Sequence, residues 1–188
     1  ALEQLTLLRQ QRRAVPLSLL ELGTGSGIIA ITLALEAPDT EVHAVERSPE
    51  ALAMAQQNAK ALGADRIHWH AGSWWQALAS PRHFDLIVSN PPYIAAGDHH
   101  LQQGDLRFEP PQALAAGPDG LDDLRIIIGG APAHLSPGGW LLLEHGYDQE
   151  APVQALLRDA GFAEVFTRRD LAGQPRVSGG RWLGDGRR

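Results

Sequence analysis

The sequence predicts an α/β fold organised around an open, mostly parallel sheet. Two observations carry that reading. Apolar runs of strand length alternate with segments of helical periodicity, and the first such run leads through a glycine-rich turn into a helix. At 188 residues the chain suits one ordinary domain with a substantial core, so residues 1–188 are read as a single unit without repeats or low-complexity tracts.

Leu2, Leu5 and Leu8 form a helical stripe that leads into a buried first strand over Leu17–Leu22. A glycine-rich turn and an apolar helix over Ile28–Leu35 follow, then a second strand over Glu41–Glu46. Ser48 stands at an N-cap position with Pro49 at the first helical position. Leu52, Ala55, Ala59 and Leu62 continue at helical spacing until Gly63 stops the helix. Arg66–His70 is a short third strand and Phe84–Ser89 a fourth, which runs into Asn90-Pro91-Pro92-Tyr93. A loop of about 25 residues comes next, the length of a lid or binding segment. Leu121, Leu124, Ile128, Ala131 and Leu135 trace a further helix, interrupted in its second half by Gly129, Gly130 and Pro132. Trp140–Glu144 is a fifth strand, and Val153, Leu156, Leu157 and Ala160 mark a helix capped by Gly161. Glu164–Arg169 and Val177–Leu183 close the sheet as an antiparallel pair.

Composition excludes several classes of function. The chain is 44% hydrophobic and 20% charged, has no apolar run near the roughly 18 residues of a membrane span, and shows no signal-peptide pattern. It has no cysteine, which rules out disulfides, thiolate metal sites and cysteine nucleophiles and fits a reducing compartment. Sixteen basic against 22 acidic residues give a net charge of −6, without the basic surplus of a protein that grips phosphates. The first residue is Ala1 rather than Met, and a preceding segment is expected.

Glu21-Leu22-Gly23-Thr24-Gly25-Ser26-Gly27 lies where the first strand turns into a helix. Glycines there let the backbone bend tightly and let a ligand come close. The spacing is Gly-x-Gly-x-Gly, tighter than the Gly-x-Gly-x-x-Gly of dinucleotide sites, which favours S-adenosylmethionine (SAM) over NAD; a purely structural turn is the alternative. Glu46, 19 positions after Gly27, ends the second strand, where a carboxylate accepts hydrogen bonds from ribose hydroxyls. Trp74, after the third strand, either stacks on adenine or packs in the core. Trp69, Trp75, Trp140 and Trp182 are read as packing residues.

Asn90-Pro91-Pro92-Tyr93 is the most informative stretch, because open α/β sheets place ligands at the carboxyl ends of their strands. Two consecutive prolines fix φ and donate no backbone hydrogen bonds, so the Asn90 side chain and the Pro91 carbonyl are held rigidly. Their oxygens can accept both N–H bonds of a substrate NH₂ group, while Tyr93 offers a flat face to a planar group. An amide nitrogen is a poor nucleophile, and two acceptors aim its lone pair and gain strength as positive charge develops on it. No Asp, Glu or His lies within the motif, so no general base is assigned.

On these residues the chain resembles the HemK/PrmC family, the peptide chain release factor glutamine N5-methyltransferases. The likeness runs through Glu21–Gly27, Ile87–Ile94, Leu101–Pro110, Gly117–Leu121 and Leu141–Gly146. It implies a Rossmann-like class I SAM-dependent methyltransferase fold: a seven-stranded, mostly parallel sheet with an antiparallel C-terminal hairpin. It implies SAM as cofactor, held by Gly23, Thr24, Gly25, Ser26, Gly27, Glu46, Trp74 and Asn90. It implies substrate binding along Asn90, Pro91, Pro92 and Tyr93, with Asn90, Pro91 and Tyr93 as the catalytic group. The implied acceptor is the glutamine of the Gly-Gly-Gln loop in class 1 release factors, met by a cytoplasmic monomer without direct nucleic-acid contact. Ser73 stands where many members carry an Asp for the adenine amino group. A helical N-terminal domain that helps hold the release factor lies outside this sequence, and the segment alone is expected to turn over its protein substrate poorly. Two alternatives stay open: N6-adenine methylation of DNA or RNA through the same motif, and a SAM-binding module without chemistry.

Of eight histidines, His68 and His70 share a strand face and His99-His100 lie in the long loop, but no third ligand recurs at metal-site spacing, so no metal is expected. His145 is read as shaping the pocket wall. Arg107 and Glu109 either latch the long loop over the cofactor or form a surface ion pair. Arg168-Arg169 and Arg187-Arg188 are read as solvated.

Overall fold

The computed structural model describes residues 1–11, 16–79, 82–94 and 116–184. In chain order the elements are α1 (Leu2–Gln11), β1 (Ser18–Leu22), α2 (Ile28–Glu36), β2 (Glu41–Glu46), α3 (Pro49–Leu62), β3 (His68–Ala71), β4 (Phe84–Ser89), α4 (Asp122–Gly130), β5 (Leu135–Glu144), α5 (Glu150–Asp159), β6 (Ala163–Arg169) and β7 (Pro175–Arg181). The seven strands form one sheet in the order β3-β2-β1-β4-β5-β7-β6. The first five are parallel, and β7 runs antiparallel to both β5 and β6. This is the expected architecture, a seven-stranded sheet with its C-terminal hairpin.

Two apolar layers sandwich the sheet, because successive strand residues face opposite sides. Leu19, Leu86, Val88 and Leu142 pack with Leu5, Leu8, Ile31 and Ala59 from α1, α2 and α3. Leu20, Leu22, Ile87, Leu141 and Leu143 pack with Leu124, Ile127, Val153 and Leu157 from α4 and α5. Local capping sets α3 as expected: Ser48 Oγ accepts from Ala51 N, Pro49 opens the first turn, and Gly63 takes a left-handed conformation (φ 75°) at the end.

Several boundaries differ from the sequence reading. Leu62 is 60% exposed, because the chain reverses at Gly63 and buries Ala64 and Ile67 instead. Leu2 also faces solvent, while Leu5 and Leu8 are buried. The helical stripe assigned through Leu135 ends earlier: α4 stops at Gly130, a 3₁₀ turn covers Ala131–Ala133, and Leu135 opens β5. Pro132 has no N–H to continue an α-helical ladder. β5 begins five residues before the expected Trp140, and its early part is irregular, with a register shift against β4 between Phe84 and Leu86. Pro137, Gly138 and Gly139 occupy that irregularity and break the apolar pattern from which a strand is recognised.

At the amino-terminal ends of β2 and β3, three imidazoles stack. His43 is buried, its ring stacked with those of His68 (centroids 4.6 Å apart) and His70 (5.2 Å) from β3. Burial pushes the His43 pKa down to about 4, so its ring is neutral at pH 7.

Candidate functional site

The carboxyl ends of β1, β2 and β4 surround a cleft of about 890 Å³. The turn after β1 forms one wall. Gly23 and Thr24 both donate backbone N–H bonds to the Val45 carbonyl, tying the turn to β2. Gly23, Gly25 and Gly27 adopt positive φ of 72°, 56° and 86°, the left-handed region that glycine enters without strain. A Cβ at Gly27 would come within 3.0 Å of Ala55 and Ile31, so α2 and α3 can approach only because it is absent. A Cβ at Gly25 would meet nothing within 4 Å, since that position opens on the cleft.

Glu46 closes β2 and is buried. Its Oε2 accepts from the Gly25 N–H and its Oε1 from the Ser48 N–H, both at 2.9 Å. Each oxygen keeps a second lone pair, so the carboxylate fixes the glycine turn and can still accept hydroxyls from a ligand. Glu21, not singled out by sequence reasoning, lies beneath it at 1% exposure and also lines the cleft. Thr24 Oγ1 and the Ala30 N–H donate to its Oε2. Burial pushes its carboxyl up to about 8, and the nearby Glu46 contributes. Its signal was the acid heading the glycine motif, but sequence does not show burial.

Trp74 opens a 3₁₀ turn over Trp74–Ala77 with φ 46°, a left-handed backbone unusual for an aromatic residue. Its ring lies over Gly23, where a Cβ would sit 3.2 Å from Cζ3, and its Nε1 donates to Asp123 Oδ1 at 3.2 Å. The ring therefore borders the cleft and touches the core as well. Burial raises the Asp123 carboxyl pKa. Trp75 stacks on His134 at 4.5 Å, Trp140 packs edge-on to Phe166, Trp182 lies against Phe162, and Trp69 packs on the core of the α1–α3 face.

The Asn90–Tyr93 corner leaves β4 beside this cleft. Ser89 Oγ donates to the Leu22 carbonyl at 2.7 Å and so sets the corner next to the glycine turn. Asn90 is exposed, and with Pro92 it lines the same cavity as Gly23, Thr24, Gly25, Ser26, Glu46 and Trp74. Gly27, Pro91 and Tyr93 do not line it. Gly27 is buried against α3, and Pro91 is buried. Tyr93 packs toward α4 and α5, with its hydroxyl 3.5 Å from Glu144 Oε1.

Gln149, unnoticed in the sequence, holds the corner from behind. Its buried Nε2 donates to the Tyr93 carbonyl at 2.9 Å while its Oε1 accepts from the Gly146 N–H at 2.9 Å. The two strand ends can meet this way because Gly120 has no Cβ, which would sit 2.4 Å from the Tyr93 carbonyl oxygen.

His145 does not shape the pocket wall, contrary to the sequence expectation. It is fully buried against β7: Nδ1 lies 2.7 Å from the Gly146 carbonyl, which can only accept, so Nδ1 carries the proton. Nε2 then accepts from Ser178 Oγ at 2.8 Å, Ser178 from Thr167 Oγ1, and Thr167 from Gln154 Nε2, a directed chain across β6 and β7. Arg107, Glu109, His99, His100, Arg187 and Arg188 lie outside the described residues.

Residues 5–108 match the methyltransferase small domain family. A release factor glutamine methyltransferase of Xylella fastidiosa (strain Temecula1) is 56% identical over 164 residues, covering 87% of this chain and 59% of its own length. One from Bordetella pertussis is 56% identical over 170 residues, 90% of this chain and 62% of its own. The chain thus spans about three fifths of the length of these curated relatives. Among solved structures, a methyltransferase from Pyrococcus furiosus superposes with a TM-score of 0.67 at 20% identity, over 90% of this chain and 76% of that one, a likeness of fold. The matched region runs from α1 through the glycine turn, Glu46 and the Asn90–Tyr93 corner, and on that match the chain belongs to the methyltransferase small domain family.

Proposed function

We propose that this chain is the catalytic domain of a SAM-dependent protein methyltransferase, acting on the side-chain amide nitrogen (N5) of the glutamine in the Gly-Gly-Gln motif of class 1 peptide chain release factors. The observation that carries the reading is the shared cavity: Asn90 and Pro92 of the corner line the same cleft as the Gly23–Ser26 turn, Glu46 and Trp74. The names of the curated relatives, at 56% identity, support the choice of acceptor.

The residues fit SAM. The cleft volume lies within the range for small ligands, Gly25 leaves its floor open, and Ile28 is 70% exposed beside it. Glu46 has lone pairs for ribose hydroxyls, Trp74 offers an aromatic face for adenine, and Gly23, Thr24, Gly25, Ser26 and Asn90 complete the cofactor site, with Gly27 buried behind them to let the turn close. Bound SAM supplies an electrophilic methyl on a sulfonium, a leaving group that needs no acid. Asn90 accepts one N–H of the substrate amide through its side-chain oxygen, and the Pro91 carbonyl accepts the other. Pro92 stiffens the corner, and Tyr93 borders the substrate's planar group. Those acceptors strengthen as nitrogen gains positive charge. The net charge of −6 favours a protein over a nucleic-acid substrate, and no helix among the described residues is long and apolar enough to cross a membrane. The same reading has the enzyme act in the cytoplasm as a monomer.

The test incubates labelled SAM with the protein and a class 1 release factor, its Gly-Gly-Gln Gln→Ala variant, or duplex DNA. Label in the intact release factor alone supports the proposal. Label in DNA, or equal label in the Gln→Ala variant, overturns it.

A further inference from the structure

The histidine stack at the far end of the sheet has a chemistry that methyl transfer does not use. Glu41 and His43 lie two apart on β2, His68 and His70 two apart on β3, and His43 pairs with His68 across the parallel register. All four side chains therefore project from one face of the sheet edge. Glu41 stands five residues before Glu46, so the cluster is about 16 Å along β2 from the cofactor cleft.

Within this cluster Glu41 Oε1 lies 3.0 Å from His43 Nε2 and 3.6 Å from His68 Nε2, and the three atoms fall within 4.8 Å of one another. Around a tetrahedral zinc ion with bonds of about 2.0–2.1 Å, neighbouring ligand atoms sit roughly 3.3 Å apart. The observed separations bracket that value. The side chain of His68 is 56% exposed, free to turn about Cβ–Cγ and aim its lone pair at the common point. Arg82 Nη1 can only donate, so the His43 Nε2 that it meets carries the lone pair and Nδ1, 2.9 Å from His70 Nε2, carries the proton, an outer contact that orients the ring.

A cationic group already sits between these atoms. Arg82 Nη1 approaches His43 Nε2 at 2.5 Å and Glu41 Oε1 at 3.2 Å. Two acceptors held 3.0 Å apart would repel, and the guanidinium is what reconciles them. Its side chain is 48% exposed and can withdraw to solvent. We propose that Glu41, His43 and His68 form a binding site for a divalent zinc-type cation, with His70 orienting His43 and Arg82 occupying the position when the ion is absent. β3 is the sheet's edge strand, so the ion would staple that edge to β2. Spacing along the chain could not show the site, because its ligands come from two strands.

The probes are Zn²⁺ by calorimetry and Co²⁺ by its visible absorption. Wild type should bind one Co²⁺ with the intense d–d bands of a tetrahedral N/O site, and Zn²⁺ should displace it and raise Tm. His68→Ala and Glu41→Gln, at partly exposed positions, should each weaken binding at least tenfold while the protein stays folded by circular dichroism. Arg82→Ala should tighten it severalfold, because the competing cation is gone. Equal Zn²⁺ affinity in wild type, His68→Ala and Glu41→Gln overturns the proposal, as does an Arg82→Ala variant that binds more weakly than wild type.

Discussion

Glu21→Gln offers the sharpest physical test of the site. Glu21 is 1% exposed, and burial moves its carboxyl from an ordinary 4.5 up to about 8. In the unfolded chain the group loses its proton near 4.5, while the folded chain keeps it until about 8. Its contribution to stability is therefore complete below pH 4.5 and disappears as pH rises through 8. At about 1.4 kcal/mol per pH unit, the decline totals on the order of 5 kcal/mol. Glutamine cannot ionise, and its carbonyl oxygen can still accept from Thr24 and Ala30. Urea unfolding of both proteins, followed by tryptophan fluorescence at half-unit steps from pH 4.5 to 9, isolates this group, since the titrations of groups not coupled to Glu21 cancel in the difference. Wild type should lose stability relative to the variant steadily across that interval, and the difference should level off above pH 8. A difference that stays flat from pH 5 to 8 would show that Glu21 is ionised in the folded protein, and the electrostatic account of the cleft floor would fail.

Three further perturbations probe the corner and its supports. Asn90→Ala should lower kcat by about 10²–10³ through loss of one oriented transition-state partner, with the fold intact by circular dichroism; an unchanged kcat would remove Asn90 from the reaction. Gln149→Ala removes the acceptor of the Gly146 N–H and the amide donor to the Tyr93 carbonyl, which should cost about 1–3 kcal/mol in denaturant unfolding and lower kcat more than it weakens cofactor binding. Ser178→Ala strands the His145 Nε2 lone pair in the core; a loss of about 1–3 kcal/mol is expected in thermal unfolding, with cofactor affinity unchanged because His145 is not on the cleft wall.

What could be read in advance followed the range of the forces involved. Helix α3 was legible to the residue because Ser48, Pro49 and Gly63 act within one turn of themselves. That the glycine turn, Glu46 and Asn90 would meet around one cleft was legible because each sits at a strand end, and strand ends in a parallel sheet converge. The start of β5 was not, since Pro137, Gly138 and Gly139 erase the alternation on which strand recognition depends. Gln149 and Glu21 escaped notice because their roles rest on partners or burial supplied by the fold, and nothing within a few residues of Gln149 announces that its amide bridges two loops. His145 was misplaced for the same reason: its partner, Ser178, lies 33 positions away.

The position of β7 has a consequence for synthesis. It is the last strand made of the seven, yet it enters between β5 and β6. While a ribosome is still extending the chain, Leu141, Leu142 and Leu143 present a bare apolar border, and β6 has no neighbour to zip onto. Parallel pairing from β3 to β5 can proceed on the nascent chain, but the sheet is sealed only when residues 175–181 emerge. A stalled or nicked product lacking them would carry an adhesive edge in its interior layer, the kind of surface that chaperones and proteases recognise.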